Sequence, residues 1–585
     1  MMLRLVILLL LSLGLSQAQA NTFVHLFEWR WSDIAKECET FLSKHNYTAV
    51  QISPPNEHRM LLGRPWYERY QPVSYRLESR SGSRDELIDM IDRCHGVNVK
   101  IYVDAVVNHM ASCRPECDKN QPQYGNLGVD GSTYQPGAYH FAQLFDEEDR
   151  SRIPDSLDAY WPQHFHRTCQ AVEDWSNIWQ LHNCELEGLA DLATERDDVR
   201  ATIANYLASL FALGVDGLRI DAAKHLPPND LRGILSLAAY AANVHIEGTD
   251  INPDAPKSVV VFQEYIGDPP DPFGAYGNGK VTEFNFGIAQ SKAFLNWDGL
   301  LPSRSAALIQ EWDMQPSDKV VTFIDNHDNQ RGHGGGGDVF AHKGEDGRNY
   351  GIRNNLPTYR LANIFMLAYP YGYPKIMSSY AFGDGELWDN GNPIQDIYSV
   401  AGMPVHDDFI GPPHIGQHEK DLSENDYAAA PDWRTEQILS DGDNGSRCDA
   451  SSSKWLCEHR WPAIAGMTGF RAATTPAWHI DHWWDDGRNR LSFSRGDRGF
   501  VVINGELHSD RRAFGPEDNG WYYTNLPPGK YCDIIQSSLS EDGTRCKNIS
   551  GATIEPIVIY PDGKAHILVN KMDAVAIHID ARILE

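Results

Sequence analysis

Residues 100–109 read Lys-Ile-Tyr-Val-Asp-Ala-Val-Val-Asn-His, and residues 217–225 read Gly-Leu-Arg-Ile-Asp-Ala-Ala-Lys-His. Each holds a short β-rich run, Lys100 to Val106 or Gly217 to Asp221, that carries a carboxylate, Asp104 or Asp221, and is followed by a histidine. Short apolar runs followed by helical periodicity read as buried strands of βα units. Six more runs flank these two: His25 to Trp29, Thr48 to Ser53, Val259 to Glu264, Val281 to Phe286, Val320 to Asp325 and Lys375 to Ser378. Between them, stretches such as Ser83 to Ile91 and Val199 to Ala212 place apolar residues every three or four positions. The alternation predicts an α/β fold, a (β/α)8 TIM barrel.

About a hundred residues separate His109 from Gly217, too many for an ordinary βα loop. Only the part after about Asp197 reads as helix, and the remainder is rich in Gly, Pro, Asp, aromatics and cysteine. An irregular domain inserted after the third strand is expected there. After about Ile480 the pattern changes to short strands with turn signals: Arg490 to Ser494, Gly499 to Asn504, Gly529 to Ile535, Thr553 to Ile559, Lys564 to Leu568 and Ala574 to Ile579. That spacing predicts a C-terminal antiparallel β-sandwich. The expected organisation is a signal peptide (1–20), a barrel (21–109 and 190–480), an insertion (110–189) and a sandwich (481–585). Residues 383–460, with many Asp, Gly, Pro and Ser, are left without a fold.

The chain of 585 residues has 51 Lys and Arg against 80 Asp and Glu, a formal charge of −29. So acidic a surface repels phosphate backbones, which excludes a nucleic-acid partner. Arg4, the apolar run Leu5 to Leu15 and Ala18-Gln19-Ala20 form a secretory signal with a small-x-small cleavage site. The run is too short to span a bilayer, so a secreted, extracellular protein with no membrane partner after cleavage is expected. Export makes the ten cysteines readable as disulfides. The expected pairs are Cys38 with Cys94, Cys448 with Cys457 and Cys532 with Cys546, plus two bridges among Cys113, Cys117, Cys169 and Cys184. Asn46, Asn444 and Asn548 begin glycosylation sequons.

In such a barrel the active site lies at the carboxyl ends of the strands. There the sequence collects acids: Asp104, Asp221, Glu264, Asp325 and Asp328. Glycoside cleavage needs this set, because a proton donor and a nucleophile flank the scissile bond of a cationic, oxocarbenium-like transition state. The 16 Trp, 25 Tyr and 21 Phe suit stacking on sugar rings, notably in Trp66-Tyr67-Glu68-Arg69-Tyr70.

DAVVNH (104–109), GLRIDAAKH (217–225), FQEY (262–265) and FIDNHD (323–328) resemble, in order and spacing, the four sequence regions of the α-amylase family. WYERYQP (66–72), RGHGGGG (331–337), MSSY (377–380), CEHRW (457–461), YCDII (531–535) and DGKAHI (562–567) extend the resemblance, most closely to the animal-type members and their bacterial relatives. It implies a secreted, endo-acting enzyme that hydrolyses internal α-1,4 bonds of starch, glycogen and maltooligosaccharides with retention, as a monomer. Asp221 matches the nucleophile, Glu264 the general acid/base and Asp328 the transition-state stabiliser. Retention implies that nucleophile and acid stand about 5 to 5.5 Å apart. His109 and His327 match the histidines beside the cleavage point, with Trp66, Tyr67, Tyr70, Gln71, Lys224 and His225 as further sugar contacts.

The resemblance also implies a structural calcium held by Asn108, Asp191 and the main-chain oxygens of His182 and His225, an oxygen set that suits the ion. It further implies an activating chloride at Arg219, Asn326 and Lys375. Animal members have Arg where Lys375 stands, and an ammonium is not equivalent to a guanidinium fork. Two competing functions remain: a transglycosylase or exo-acting enzyme on the same scaffold, and a non-catalytic carbohydrate-binding protein. Gly334 to Gly337 reads as a loop over the substrate and Arg495-Gly496-Asp497 as a hairpin turn.

Overall fold

The computed structural model describes residues 22–60, 66–112, 127–150, 152–267, 275–331, 356–379 and 457–584, with short strand pieces between 388 and 404. Residues 1–20, Cys113, Cys117, Gly334–Gly337, Asn444, Cys448 and most of 383–460 lie outside the described residues.

Eight parallel strands close into a barrel: β1 (Phe23–Leu26), β2 (Ala49–Ile52), β3 (Lys100–Ala105), β4 (Gly217–Ile220), β5 (Lys257–Gln263), β6 (Lys280–Glu283), β7 (Val320–Thr322) and β8 (Tyr373–Ser378). Closure is made by β1, which pairs in register with β2 (Phe23 to Ala49) and with β8 (Phe23 to Lys375). A short extra strand, Val244–Ile246, adds to the start of β5. Phe23, Ala49, Tyr102, Val260, Phe262, Phe284, Val321 and Phe323 form one buried cluster, a packed interior of the kind such barrels require. Gly217 is needed where β4 meets its neighbours, since a Cβ there would stand 2.6 Å from the Val260 carbonyl oxygen.

The helices follow their sequence signals. Ser83 and Glu86 form a reciprocal capping box that starts the helix Arg84–Gly96. The helix Asp197–Ala212 begins where its periodicity begins. The sixth strand is shorter than expected: it stops at Glu283, and Phe284–Leu295 is helical. The Glu283 side chain caps that helix by accepting the Asn285 N–H, so Phe284 and Phe286, which alternate like strand residues, belong to the first turn.

Between β3 and β4 the chain leaves the barrel. It forms a three-stranded sheet (Tyr134–Gln135, His140–Ala142, Ala159–Tyr160) and an unanticipated helix, Ile178–Asn183. Asn177 caps this helix through its side chain. The excursion is pinned to the barrel mouth where His109–Met110 pairs with Ala190–Asp191.

The C-terminal part is all β. One sheet contains Ile480–Asp485, Arg490–Arg495, Gly499–Asn504 and Asp573–His578, and a second contains Trp521–Tyr523, Lys564–His566, Ile557–Ile559 and Gly529–Tyr531. Phe500, Val502, Tyr522, Tyr531, Ile559 and Ile577 belong to one buried cluster drawn from both sheets. The hairpin turn at Arg495–Arg498 is closed by Arg498 N–H donating to the Arg495 carbonyl. The expected strand Thr553 to Ile559 divides: Ile557–Ile559 stays in the second sheet, while Thr553–Ile554 joins a third with Ser537–Leu539 and Cys546–Asn548, two short polar strands that carry no alternation and were not anticipated. Cys38–Cys94, Cys169–Cys184 and Cys532–Cys546 are disulfides, and Cys457 is also disulfide-bonded.

Candidate active site

Strands β3, β4 and β5 deliver three carboxylates to one cation. Arg219 on β4 pairs in register with Asp104 on β3 and Phe262 on β5, in the middle of the sheet. Its Nη1 lies 2.5 Å from Asp104 Oδ1 and 2.8 Å from Asp221 Oδ1, and its Nη2 lies 2.7 Å from Glu264 Oε1. All four side chains are buried. Ala222, the residue after Asp221, is left-handed at φ 48° and ψ 32°, a strained conformation for a residue with a Cβ. That turn directs the Ala222 N–H to Glu264 Oε2 at 2.9 Å. The loop leaving β4 thus orients the acid at the end of β5.

Burial raises the affinity of Asp221 and Asp104 for a proton. Arg219 opposes that rise, and the neighbouring carboxylates reinforce it. Burial also works against the Arg219 charge, yet the surrounding acids hold it well above its ordinary value. Asp104 and Asp221, sharing one guanidinium, do not ionise independently and hold a proton more readily than solvated acids would.

Asp328 arrives on the turn that follows β7. Its N–H donates to Asn326 Oδ1 at 3.0 Å, and its Oδ2 lies 3.3 Å from His327 Nε2. The His327 ring stacks on Tyr70 and on Phe27, and meets Trp66 edge-on. Tyr70 donates its hydroxyl to Asp104 Oδ2 at 3.0 Å. Burial first, then Asp104, Asp328 and Asp221, drive the Tyr70 phenol well above its usual range, with Arg219 opposing. Asp104, Asp221 and Asp328 therefore converge on one centre.

The other expected sugar contacts border this centre. The His109 Nε2–H donates to the Tyr70 carbonyl at 3.0 Å, and the His225 Nδ1–H donates to the Leu181 carbonyl at 3.1 Å. Burial pushes both imidazoles down to about 4, so at neutral pH they are uncharged. Lys224 Nζ reaches the Ile266 carbonyl at 2.8 Å. Trp66 is buried and Tyr67 half-buried. Gln71 Oε1 accepts from Arg59 Nη1 at 3.0 Å and from the Ser112 N–H at 3.2 Å.

The expected calcium ligands fall at the junction of barrel and excursion. Asn108 Nδ2 lies 3.4 Å from Asp191 Oδ1. His182 and His225 stand on neighbouring segments joined by the His225–Leu181 bond. Burial pushes the Asp191 carboxyl up to about 7, with His166 and Asn108 opposing the rise. A buried carboxylate, an amide and two peptide oxygens fit a hard cation, which would restore the charge that burial disfavours. Among the described residues, no group of three or more His, Cys, Asp or Glu side chains could hold a metal. A site built on carbonyls does not require one. His166, missed from the sequence, contacts Asp191 Oδ2 through Nδ1 at 2.7 Å and Glu195 Oε2 through Nε2 at 3.1 Å.

The expected chloride residues also suit their ligand. Lys375 is buried with Nζ 4.7 Å from the Phe323 ring centroid, and it makes no ion pair with a carboxylate among the described residues. Burial and the nearby Arg219 push it down to about 8, with Asp104 and Glu264 opposing. Asn326 turns its carbonyl oxygen to the N–H groups of Asp328 and Asn329, which leaves its NH2 as a donor.

Residues 66–345 match the family model "Alpha amylase, catalytic domain", and residues 481–580 match "Alpha amylase, C-terminal all-beta domain". An α-amylase of Pecten maximus is 37% identical over 96% of this chain and 93% of its own length, and one of Oryzias latipes is 36% identical over 99% of both. The solved structure of wild-type α-amylase I from Eisenia fetida superposes with a TM-score of 0.70 at 30% identity, covering 96% of this chain and 97% of that one. A mutant of the same enzyme, solved with maltohexaose, matches equally well. By its barrel, its all-β C-terminal part and relatives that align along nearly its whole length, this chain belongs to the α-amylase family.

Proposed function

We propose that the protein is a secreted, endo-acting α-amylase that hydrolyses internal α-1,4-glucosidic bonds of starch and glycogen with retention of configuration. The observation that carries this reading is the shared guanidinium, with Arg219 touching Asp104, Asp221 and Glu264 at once. Asp221 is the nucleophile. Its carboxylate attacks the anomeric carbon while Glu264 gives its proton to the departing glycosidic oxygen, so the C–O bond breaks as the glycosyl ester forms. Glu264, now a base, takes a proton from water, whose oxygen attacks the same carbon and releases Asp221. Asp328 stabilises the oxocarbenium-like charge and holds sugar hydroxyls. His109, His225 and His327 bind the sugars flanking the cleavage point, and the neutral states of the first two make them hydrogen-bonding groups that add no positive charge near a cationic transition state. Trp66, Tyr67 and Tyr70 supply apolar faces for sugar rings.

Calcium would be held by Asn108, Asp191 and the carbonyls of His182 and His225, joining the excursion to the barrel mouth. Chloride would sit among Arg219, Asn326 and Lys375, where a negative charge favours a protonated acid. Secretion is supported by the disulfides, and no helix among the described residues is long and apolar enough to cross a membrane.

Proton NMR of the first products from a maltooligosaccharide tests the reaction. Retention gives the α-anomer first, followed by mutarotation, whereas initial β-anomer would overturn it. Viscosity of amylose against reducing ends tests endo-action: viscosity collapses early for internal cuts. Transfer products longer than the substrate would point to a transglycosylase.

A further inference from the structure

The turn that carries Asp328 is built on a buried acid that takes no part in the chemistry above. Asn326 and Asn329 brace the turn reciprocally: Asn326 Oδ1 accepts the N–H of Asp328 and of Asn329, and Asn329 Oδ1 accepts the Asn326 N–H at 2.8 Å. Its two ends are clasped by Asp325. Asp325 Oδ2 accepts from Gln330 Nε2 at 3.2 Å, and Gln330 N–H donates to the Asn326 carbonyl at 3.2 Å. Asp325 Oδ1 accepts from the Tyr359 hydroxyl at 2.9 Å, which ties the turn to the helix Leu356–Ala368 behind the barrel. Asp325, Gln330 and Tyr359 are all buried.

We propose that Asp325 is a positioning residue for glycoside cleavage: by clasping Gln330 and Tyr359 it fixes the turn that presents His327 and Asp328 to the substrate. Both of its carboxyl oxygens are engaged in this clasp. A second acid that feels its charge is Glu458, fully buried, whose Oε2 accepts the Ser379 N–H at 2.9 Å. Burial, with Asp325 adding to it, pushes Glu458 up to about 8. A displacement of about 1 Å in a positioned group costs up to about a hundredfold in rate, so the clasp controls turnover without touching sugar.

This inference rests on Asp328 being the stabilising carboxylate, and the test separates the two. Asp325→Asn keeps the acceptor for Tyr359 but sets an NH2 against that of Gln330. The expected result is a kcat lowered about 10- to 100-fold, KM within threefold, and weaker binding of a transition-state mimic in proportion to kcat/KM. These values are taken per active site counted with a covalent glycosyl inactivator. Combining Asp325→Asn with Gln330→Glu restores a donor–acceptor pair and recovers much of kcat. Gln330→Ala serves as the milder variant if Asp325→Asn folds poorly, with a smaller fall in kcat expected. Wild-type kcat per active site in these variants, or a loss confined to the fraction of folded enzyme, overturns the inference. Asp328→Asn is the control: wild-type kcat there sinks the reading of Asp328 itself.

Discussion

Tyr70 and His327 lie ring on ring, their centroids 4.9 Å apart and their planes 7° from parallel. The contact joins the loop after β2 to the turn after β7, and the Tyr70 hydroxyl carries the link on to Asp104. Tyr70→Phe keeps the stack and loses the hydrogen bond, which costs about 1 kcal/mol of stability. Tyr70→Leu also loses the stack, about 0.5–1.5 kcal/mol more. Thermal unfolding of the two variants should therefore rank Phe above Leu, with kcat/KM on a maltooligosaccharide falling in the same order. Equal loss in both would show that the stack contributes nothing.

Chloride activation should depend on pH through Lys375. Burial depresses its ammonium to about 8, so it is charged below that pH and neutral above it. Apparent chloride affinity should fall as pH rises through about 8. Lys375→Arg, which stays charged throughout, should flatten that dependence. Chloride titrations of activity at pH 7 and pH 9 check this, and activity unchanged after exhaustive chloride removal would refute the anion's role.

Calcium removal should loosen the junction at Asp191. A ligand present at a thousand times its Kd stabilises by about 4 kcal/mol. Chelation should lower Tm by several degrees, and calcium, in preference to magnesium, should restore it. Asp191→Asn should unfold near the temperature of the chelated wild type and respond little to chelator.

Acid should unfold the C-terminal sandwich side partly through His578. Burial depresses this imidazole from 6.5 to about 4, so the folded state disfavours its protonation. The unfolded chain binds the proton first, and stability present above pH 6.5 is lost as pH falls toward 4, by about 3 kcal/mol at most from this group. His578→Phe, packed against Phe470, should show a shallower loss of stability across that window in denaturant titrations. An unchanged slope would exclude His578 as a source of acid sensitivity.

The barrel was legible because its strands are buried on both faces and appear as apolar runs ending in acids, as in Val259 to Glu264 and Val320 to Asp325. The end of the sixth strand was not, since Phe284 and Phe286 alternate like strand residues until the Glu283 cap is seen. Asp221, Glu264 and Asp328 could be picked out by resemblance and strand position. The sharing of Arg219 among three acids depends on the register of β3, β4 and β5, which no single stretch encodes. His166 lies in an irregular segment without periodicity, and only the folded chain brings it to Asp191. The tie between the Gln71 amide oxygen and Arg59 is likewise visible only in the folded chain.

The central claim, acid/base catalysis by Glu264 beside Asp221, is tested most directly by the kcat of Glu264→Gln on starch. The isosteric amide keeps an oxygen for the Ala222 N–H but has no proton to transfer. The account predicts a fall of about 10²- to 10⁴-fold with the fold intact. A kcat equal to that of the wild type would contradict it.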